Sequence, residues 1–379
     1  MKIMIIFGTR PEAIKLIPVI KKFREESERF KICICTTGQQ REMLNSVLKL
    51  FRIKPDYLLN LMKKNQSLFG SASLVLNKLS KVLINEKPDY VLIQGDTITA
   101  FATALAAYYL KINIAHIEAG LRTMDKYAPF PEEINRKFID HLSDLCFSPT
   151  QIAVQNLINE NIPADRIFIT GNTVVDALNL ILSKIQEKKI QKKIKEKLYK
   201  KYGIIADHRK IILVTTHRRE SFGRDLENIC KAIKKLSQIR SDVQIIFPVH
   251  LNPNVKNTVC RVLRTRKNIY LIEPLDYLSF IWLMNISYFV LTDSGGIQEE
   301  APSLKKPVLV MRRVTERPEG LELGIAKLIG VDSEKIFNAS IELLDNNAKY
   351  REMLSNANNP YGDGNASKRI VSVFKNLLL

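Results

Sequence analysis

Nowhere in the 379 residues does an apolar run reach the roughly 20 residues needed to span a bilayer, so no membrane segment is expected. Cysteine is scarce and odd in number: Cys33, Cys35, Cys146, Cys230 and Cys260. Cys33 and Cys35 alternate within a strand pattern and have no matching pair, which excludes a disulfide framework and argues against zinc. All five read as reduced thiols of a cytoplasmic protein. A glycine-rich dinucleotide fingerprint and a phosphate loop with its lysine are both missing, which makes NAD and ATP chemistry poor candidates. Acid is in deficit, 39 residues against 58 basic ones, for a net charge of +19. That excess invites a nucleic-acid reading. The lysines concentrate between Lys184 and Lys201, however, with isoleucines at helical spacing and no aromatics interleaved to stack bases. The run is read as a solvated helical face, with no nucleic-acid partner. Met1 to Gly8 is apolar but soon meets Arg10, Glu12 and Lys15, so it reads as a first strand and not as a signal peptide.

What is present is an alternation. Short β-branched runs separate helical stretches along the whole chain, the pattern of parallel sheets with crossover helices. A length of 379 residues exceeds one ordinary core. We therefore expect an α/β protein of two Rossmann-like domains. Residues 1–173 form the first, 174–206 a linking lysine-rich helix that ends near Tyr202-Gly203, and 207–364 the second. A final amphipathic helix over 365–379 is expected to pack back on the first domain. Strand C-termini lining an interdomain cleft would be the natural seat of a nucleotide.

Several segments carry chemistry. The strand ending at Thr292 runs into Asp293-Ser294-Gly295-Gly296 and a helix. Two glycines there leave amide N–H groups bare at the positive end of a helix dipole, a seat for phosphate. Glu300, a turn inside, could accept hydrogen bonds from ribose hydroxyls. Arg10 and Lys15 follow the first strand and could reach a diphosphate. Asp96, Glu118 and Glu132 stand where strands end or a helix begins, positions suited to acid–base work or to helix capping. His217 ends a strand among basic neighbours, and His250 repeats that placement one strand later.

Taken in order, these segments resemble the non-hydrolysing UDP-N-acetylglucosamine 2-epimerases. The resemblance runs through Phe7-Gly8-Thr9-Arg10-Pro11-Glu12-Ala13-Ile14-Lys15, Gly95-Asp96-Thr97, His116-Ile117-Glu118-Ala119-Gly120-Leu121-Arg122 and Pro131-Glu132-Glu133. It continues through Ile169-Thr170-Gly171-Asn172-Thr173, His217-Arg218-Arg219-Glu220, the Thr292 to Ser303 segment, Thr315-Glu316-Arg317-Pro318-Glu319 and Asn359-Pro360-Tyr361-Gly362-Asp363-Gly364. The resemblance implies a glycosyltransferase-B-like fold, a homodimer, no metal and no cofactor. It implies reversible conversion of UDP-N-acetylglucosamine to UDP-N-acetylmannosamine. Asp96, Glu118, Glu132 and His217 would be catalytic. Arg10, Lys15, Ser294, Gly295, Gly296, Glu300 and Arg317 would hold UDP, with Phe280 and the backbone of Leu275 on the uracil.

The C2 hydrogen is not adjacent to a carbonyl, so its direct removal would be very hard. The resemblance implies that UDP leaves first, the C1 cation loses its C2 proton to give 2-acetamidoglucal, and UDP adds back as a proton arrives on the other face. Which carboxylate is the base stays open. Gln40, Arg313 and Leu275 depart from the family's usual histidine, aspartate and glutamine. Gln39 and His250 match a region where some bacterial relatives bind a second substrate molecule as activator. A hydrolysing relative that releases N-acetylmannosamine, or a 2-epimerase of a modified UDP-sugar, is the alternative.

Overall fold

A computed structural model describes the chain except for residues 39–40, 62–65, 217, 219–221, 265–266, 356–358 and 379, and the side chains of 41–43. The first strand, β1 (Lys2–Phe7), is buried from Ile3 to Phe7, as an apolar strand covered on both faces must be. Helix α1 (Arg10–Glu25) begins in a capping box: the Thr9 N–H donates to Glu12 Oε2 at 2.7 Å, and Thr9 Oγ1 accepts from the Glu12 N–H. The alternation continues with β2 (Lys31–Thr36), α2 (Arg41–Phe51), β3 (Tyr57–Leu58), α3 (Leu68–Glu86), β4 (Tyr90–Gln94) and α4 (Ile98–Tyr109). It closes with β5 (Asn113–Ile117), α5 (Glu132–Leu142), β6 (Leu145–Ser148), α6 (Gln151–Asn159), β7 (Ile167–Ile169) and α7 (Thr173–Ile185). These seven strands make one parallel sheet in the order β3-β2-β1-β4-β5-β6-β7. The order reverses between β1 and β4, which opens a crevice at their C-terminal ends.

The chain forms two compact units, Met1–Ala177 with Tyr361–Leu379, and Leu178–Pro360. The second unit contains α8 (Lys188–Tyr202), β8 (Lys210–Thr215), α9 (Arg224–Ile239), β9 (Val243–Pro248), α10 (Pro253–Leu263), β10 (Ile269–Ile272) and α11 (Tyr277–Ile286). It goes on through β11 (Phe289–Thr292), α12 (Gly295–Ser303), β12 (Val308–Val310), α13 (Glu319–Glu322), β13 (Ala326–Leu328), α14 (Ser333–Asp345) and α15 (Asn347–Ser355). Its parallel sheet runs β10-β9-β8-β11-β12-β13, so the reversal falls between β8 and β11. Ile212, Val214, Ile233, Phe247, Phe289 and Leu343 belong to its core.

The last helix, α16 (Ala366–Asn376), belongs to the first unit. Phe374 is fully buried and meets the rings of Phe23 and Tyr90 edge-on at 5.3 and 5.2 Å. The Asp176 carboxylate accepts from the backbone N–H groups of Ala366 and Ser367, satisfying donors at the start of α16.

One expectation needs correction. The stretch from Thr173 to Tyr202 is two helices, not one: α7 ends at Ile185 and α8 starts at Lys188. The reason lies in phase. Val174, Leu178, Ile181 and Ile185 make a buried stripe that would continue onto Lys188, Lys189 and Lys192, whereas the next buried positions are Ile194 and Leu198. A single straight helix cannot bury both stripes.

Candidate active site

In the first unit the chemistry gathers where β1, β4 and β5 end. Lys15, one turn into α1, is buried, and its Nζ lies 2.5 Å from Glu118 Oε2. Gln94, the last residue of β4, donates from its amide to the same carboxylate oxygen. Glu118 has a left-handed backbone, φ 73°, uncommon for a residue with a side chain and a frequent mark of functional positions. Its N–H and that of Ala119 both donate to the Phe147 carbonyl, at 3.0 and 3.1 Å, which holds the turn.

Asp96 is one residue past Gly95 in the β4–α4 turn, and its side chain keeps 27% exposure. Arg136 of α5 donates to Asp96 Oδ2 from Nε at 3.2 Å and also from Nη2. Asn135 donates to the Asp96 carbonyl at 2.9 Å. The start of α5, which Glu132 opens, is thus tied to the end of β4. Arg136 also meets Glu133 Oε2 at 3.0 Å, and Glu133 in turn accepts from the N–H groups of Thr123 and Met124. Beside this group, Glu12 accepts from the Gly8 and Thr9 N–H groups and from Thr97 Oγ1. Burial pushes its carboxyl above the usual range, and those hydrogen bonds only partly offset the push. Arg10 opens α1 at the same edge and is half-buried.

In the second unit the corresponding crevice lies between β8 and β11. Asp293 is fully buried after β11, and its Oδ2 accepts from Thr216 Oγ1 at 2.7 Å and from the Arg218 N–H at 3.0 Å. Ser294 is the N-cap of α12, yet its side chain makes no capping hydrogen bond, which leaves the first-turn amides to another acceptor. Gly295 is crowded: a Cβ there would come within 2.5 Å of Arg317 Nη1, so that guanidinium would have to move. A Cβ on Gly296 would meet nothing within 4 Å. Arg317 donates from Nε to Glu299 at 2.7 Å and from Nη1 to Glu316, which also meets Arg312 at 2.6 Å and Arg218 at 3.1 Å. Glu300 accepts from Tyr277 Oη at 2.7 Å, joining α12 to the helix that carries Phe280 and follows Leu275.

The structure therefore brings Lys15 onto Glu118 and groups Arg10, Asp96 and Glu132 around the same strand ends. It groups Ser294, Gly295, Gly296, Glu300 and Arg317 around the start of α12. His250 follows β9, and its Nδ1 accepts from the Asn252 N–H at 3.2 Å. His217 and Gln39 lie outside the described residues. Among the described residues no three His, Cys, Asp or Glu side chains are grouped as a metal site, and no helix is long and apolar enough to cross a membrane. Sequence reading missed Arg136, Gln94, Tyr277 and Glu316. Arg136 had a signal, an arginine three and four residues after two acids that open a helix, which places all three on neighbouring positions of one face.

A family model described as UDP-N-acetylglucosamine 2-epimerase matches residues 22–375. An Escherichia coli K12 protein, UDP-N-acetylglucosamine 2-epimerase, is 50% identical over 376 residues, 99% of each chain. The UDP-N-acetylglucosamine 2-epimerase of Neisseria meningitidis, solved bound to UDP-N-acetylglucosamine, superposes with a TM-score of 0.95 at 46% identity, covering 99% of this chain and 100% of that one. An S. aureus MnaA–UDP co-structure superposes with a TM-score of 0.91 at 46% identity, covering 100% of this chain and 96% of that one.

Proposed function

The chain belongs to the UDP-N-acetylglucosamine 2-epimerase family and is an isomerase of that sugar nucleotide, and from that premise we propose how its own residues carry the reaction. The substrate is UDP-N-acetylglucosamine, and UDP is both the leaving group and the returning nucleophile. The C1–O bond breaks with its electron pair departing on the diphosphate. The cation at C1 then loses the C2 proton to a carboxylate, giving 2-acetamidoglucal. Return of a proton to the opposite face of C2 and of UDP to C1 gives UDP-N-acetylmannosamine.

Arg10, His217, the Ser294 hydroxyl and the bare amides of Gly295 and Gly296 hold the diphosphate as charge develops on it, the Ser294 N–H being held by Thr292 Oγ1. Asp96, Glu118 and Glu132 flank the cation and exchange the C2 proton. Glu300 takes the ribose hydroxyls, Leu275 and Phe280 the uracil, and Arg317 braces the α12 start from behind Gly295. Lys15 serves the diphosphate and, in the geometry seen here, also compensates the charge of Glu118. The observation that carries this reading is the pair of carboxylates at the ends of adjacent strands β4 and β5, each gripped by a buried cation: Asp96 by Arg136, Glu118 by Lys15. A second substrate molecule as activator, at Gln39 and His250, belongs to the same reading.

The chain acts in the cytoplasm, consistent with five free cysteines, and as a homodimer. The outer faces of α3, α4 and α5 expose Phe69, Ile84, Tyr108, Tyr109 and Phe138, an apolar surface suited to a second copy.

Two variants divide the labour. Glu300→Ala removes hydrogen bonds made equally in ground and transition states, so it raises KM, weakens UDP binding in calorimetry and leaves kcat nearly unchanged. Asp96→Asn binds UDP nearly normally and lowers kcat by about 100-fold or more. The reverse pattern would overturn the assignment.

A further inference from the structure

Glu12, in the first turn of α1, is buried, and its two carboxyl oxygens face two different turns of the chain. Oε2 accepts from the Gly8 and Thr9 N–H groups at 3.1 and 2.7 Å. The Thr9 bond belongs to the capping box that starts α1. Oε1 makes a contact that no capping box requires: it accepts from Thr97 Oγ1 at 2.8 Å, across 85 residues of chain. Thr97 is the N-cap of α4, and its Oγ1 accepts in turn from the Ala100 N–H at 3.1 Å. The two turns joined in this way flank the point where the strand order reverses between β1 and β4. They also lie against each other, since a Cβ on Gly8 would collide with the hydroxyls of Thr37 and Thr99. The bridge does not depend on charge. N–H donors fix Oε2 as an acceptor, and one hydrogen between Oε1 and Thr97 suffices to hold the other side.

We propose that Glu12 is a positioning residue, a buried bridge that sets the spacing between Arg10 and Asp96 and so between the diphosphate and the carboxylate that meets the sugar. This rests on the reading above that Arg10 holds the diphosphate and Asp96 is catalytic. The sequence supplies the lever. Gly8 and Thr9, held by Oε2, come immediately before Arg10, and Thr97, held by Oε1, comes immediately after Asp96. Arg136 grips the Asp96 side chain from α5, whereas Glu12 grips the neighbouring residue from α1. Asp96 is thus held from both flanks of the crevice, and only the Glu12 side ties it to the element that carries Arg10. A buried carboxyl group is tolerated only where its hydrogen bonds are made, so the bridge resists being pulled apart.

The test uses the full chain and breaks the bridge at its far end. Thr97→Val removes the hydroxyl and leaves the capping box of α1 in place. Misplacing a reacting group by about 1 Å costs on the order of 100-fold, so this variant is expected to lose about 10-fold or more in kcat with UDP affinity within about twofold by calorimetry. Thr97→Ser restores the hydroxyl and is expected to bring kcat back to within about threefold of wild type. Thr97 also caps α4, so a merely structural role would lower the melting temperature of Thr97→Val and leave kcat of the folded protein unchanged. That result would overturn the proposal. Action through Asp96 has its own signature: in an Asp96→Asn background, Thr97→Val should lower kcat by no more than about a further twofold. The same fold-loss in both backgrounds would also overturn it. Glu12→Gln keeps an oxygen for the Gly8 and Thr9 N–H groups and an amide N–H for Thr97, so kcat should stay within about threefold of wild type. A loss as deep as that of Asp96→Asn would mean that the carboxyl itself reacts, which contradicts a positioning role. Asp96→Asn that turns over normally would sink the catalytic reading, a result distinct from a normal Thr97→Val beside a slow Asp96→Asn.

Discussion

Replacing Lys15 by methionine keeps the length of the side chain and removes its ammonium. Lys15 and Glu118 expose only 7% and 5% of their side chains, and their charged atoms lie 2.5 Å apart. Water cannot replace the lost partner at such a site. Breaking a buried pair by removing one member costs about 3–5 kcal/mol, because it strands the other charge, whereas an exposed pair costs about 1 kcal/mol or less. Lys15→Met should therefore destabilise the protein by about 3–5 kcal/mol in chemical denaturation. Adding Glu118→Gln removes the stranded charge, so the double variant should recover roughly 2 kcal/mol or more of that loss, a coupling the double-mutant cycle reads directly. Turnover should fall about 100-fold in the single variant under the proposal that Glu118 is one of the ionised carboxylates that flank the cation, since a carboxylate driven to protonate no longer stabilises it. A single variant costing under about 1 kcal/mol, or a double variant whose cost is the sum of the two, would refute the buried-pair reasoning.

Two other perturbations test separate parts of the fold. Gly295→Ala drives a Cβ to 2.5 Å from Arg317 Nη1, and displacing that guanidinium should weaken UDP binding at least about 10-fold in calorimetry, while Gly296→Ala is sterically free. Phe374→Ala empties a fully buried ring site among Phe23, Tyr90 and Phe147, and thermal denaturation should show a loss of about 3–5 kcal/mol in the first unit.

Long β-branched strands such as β1, β4 and β8 were legible because their residues are apolar on both faces. β3, only Tyr57–Leu58, is too short to produce a period, and it pairs with β2 at the edge of the sheet. The division of the lysine-rich stretch hides behind a uniform composition that favours helix throughout. At the site, Asp96, Glu118 and Ser294 could be found because they follow strands. Arg136 could not be singled out so easily, since its role arises when α5 packs against the ends of β4 and β5. The pairing of Lys15 with Glu118, 103 residues apart, is a tertiary fact that no local pattern records.

In the proposed reaction the C2 proton leaves and a proton returns to the opposite face. Proton NMR of the enzyme with UDP-N-acetylglucosamine in deuterated water tests it directly. The UDP-N-acetylmannosamine formed should carry deuterium at C2, with UDP returned to C1. Product that retains its original hydrogen at C2 would contradict elimination and readdition.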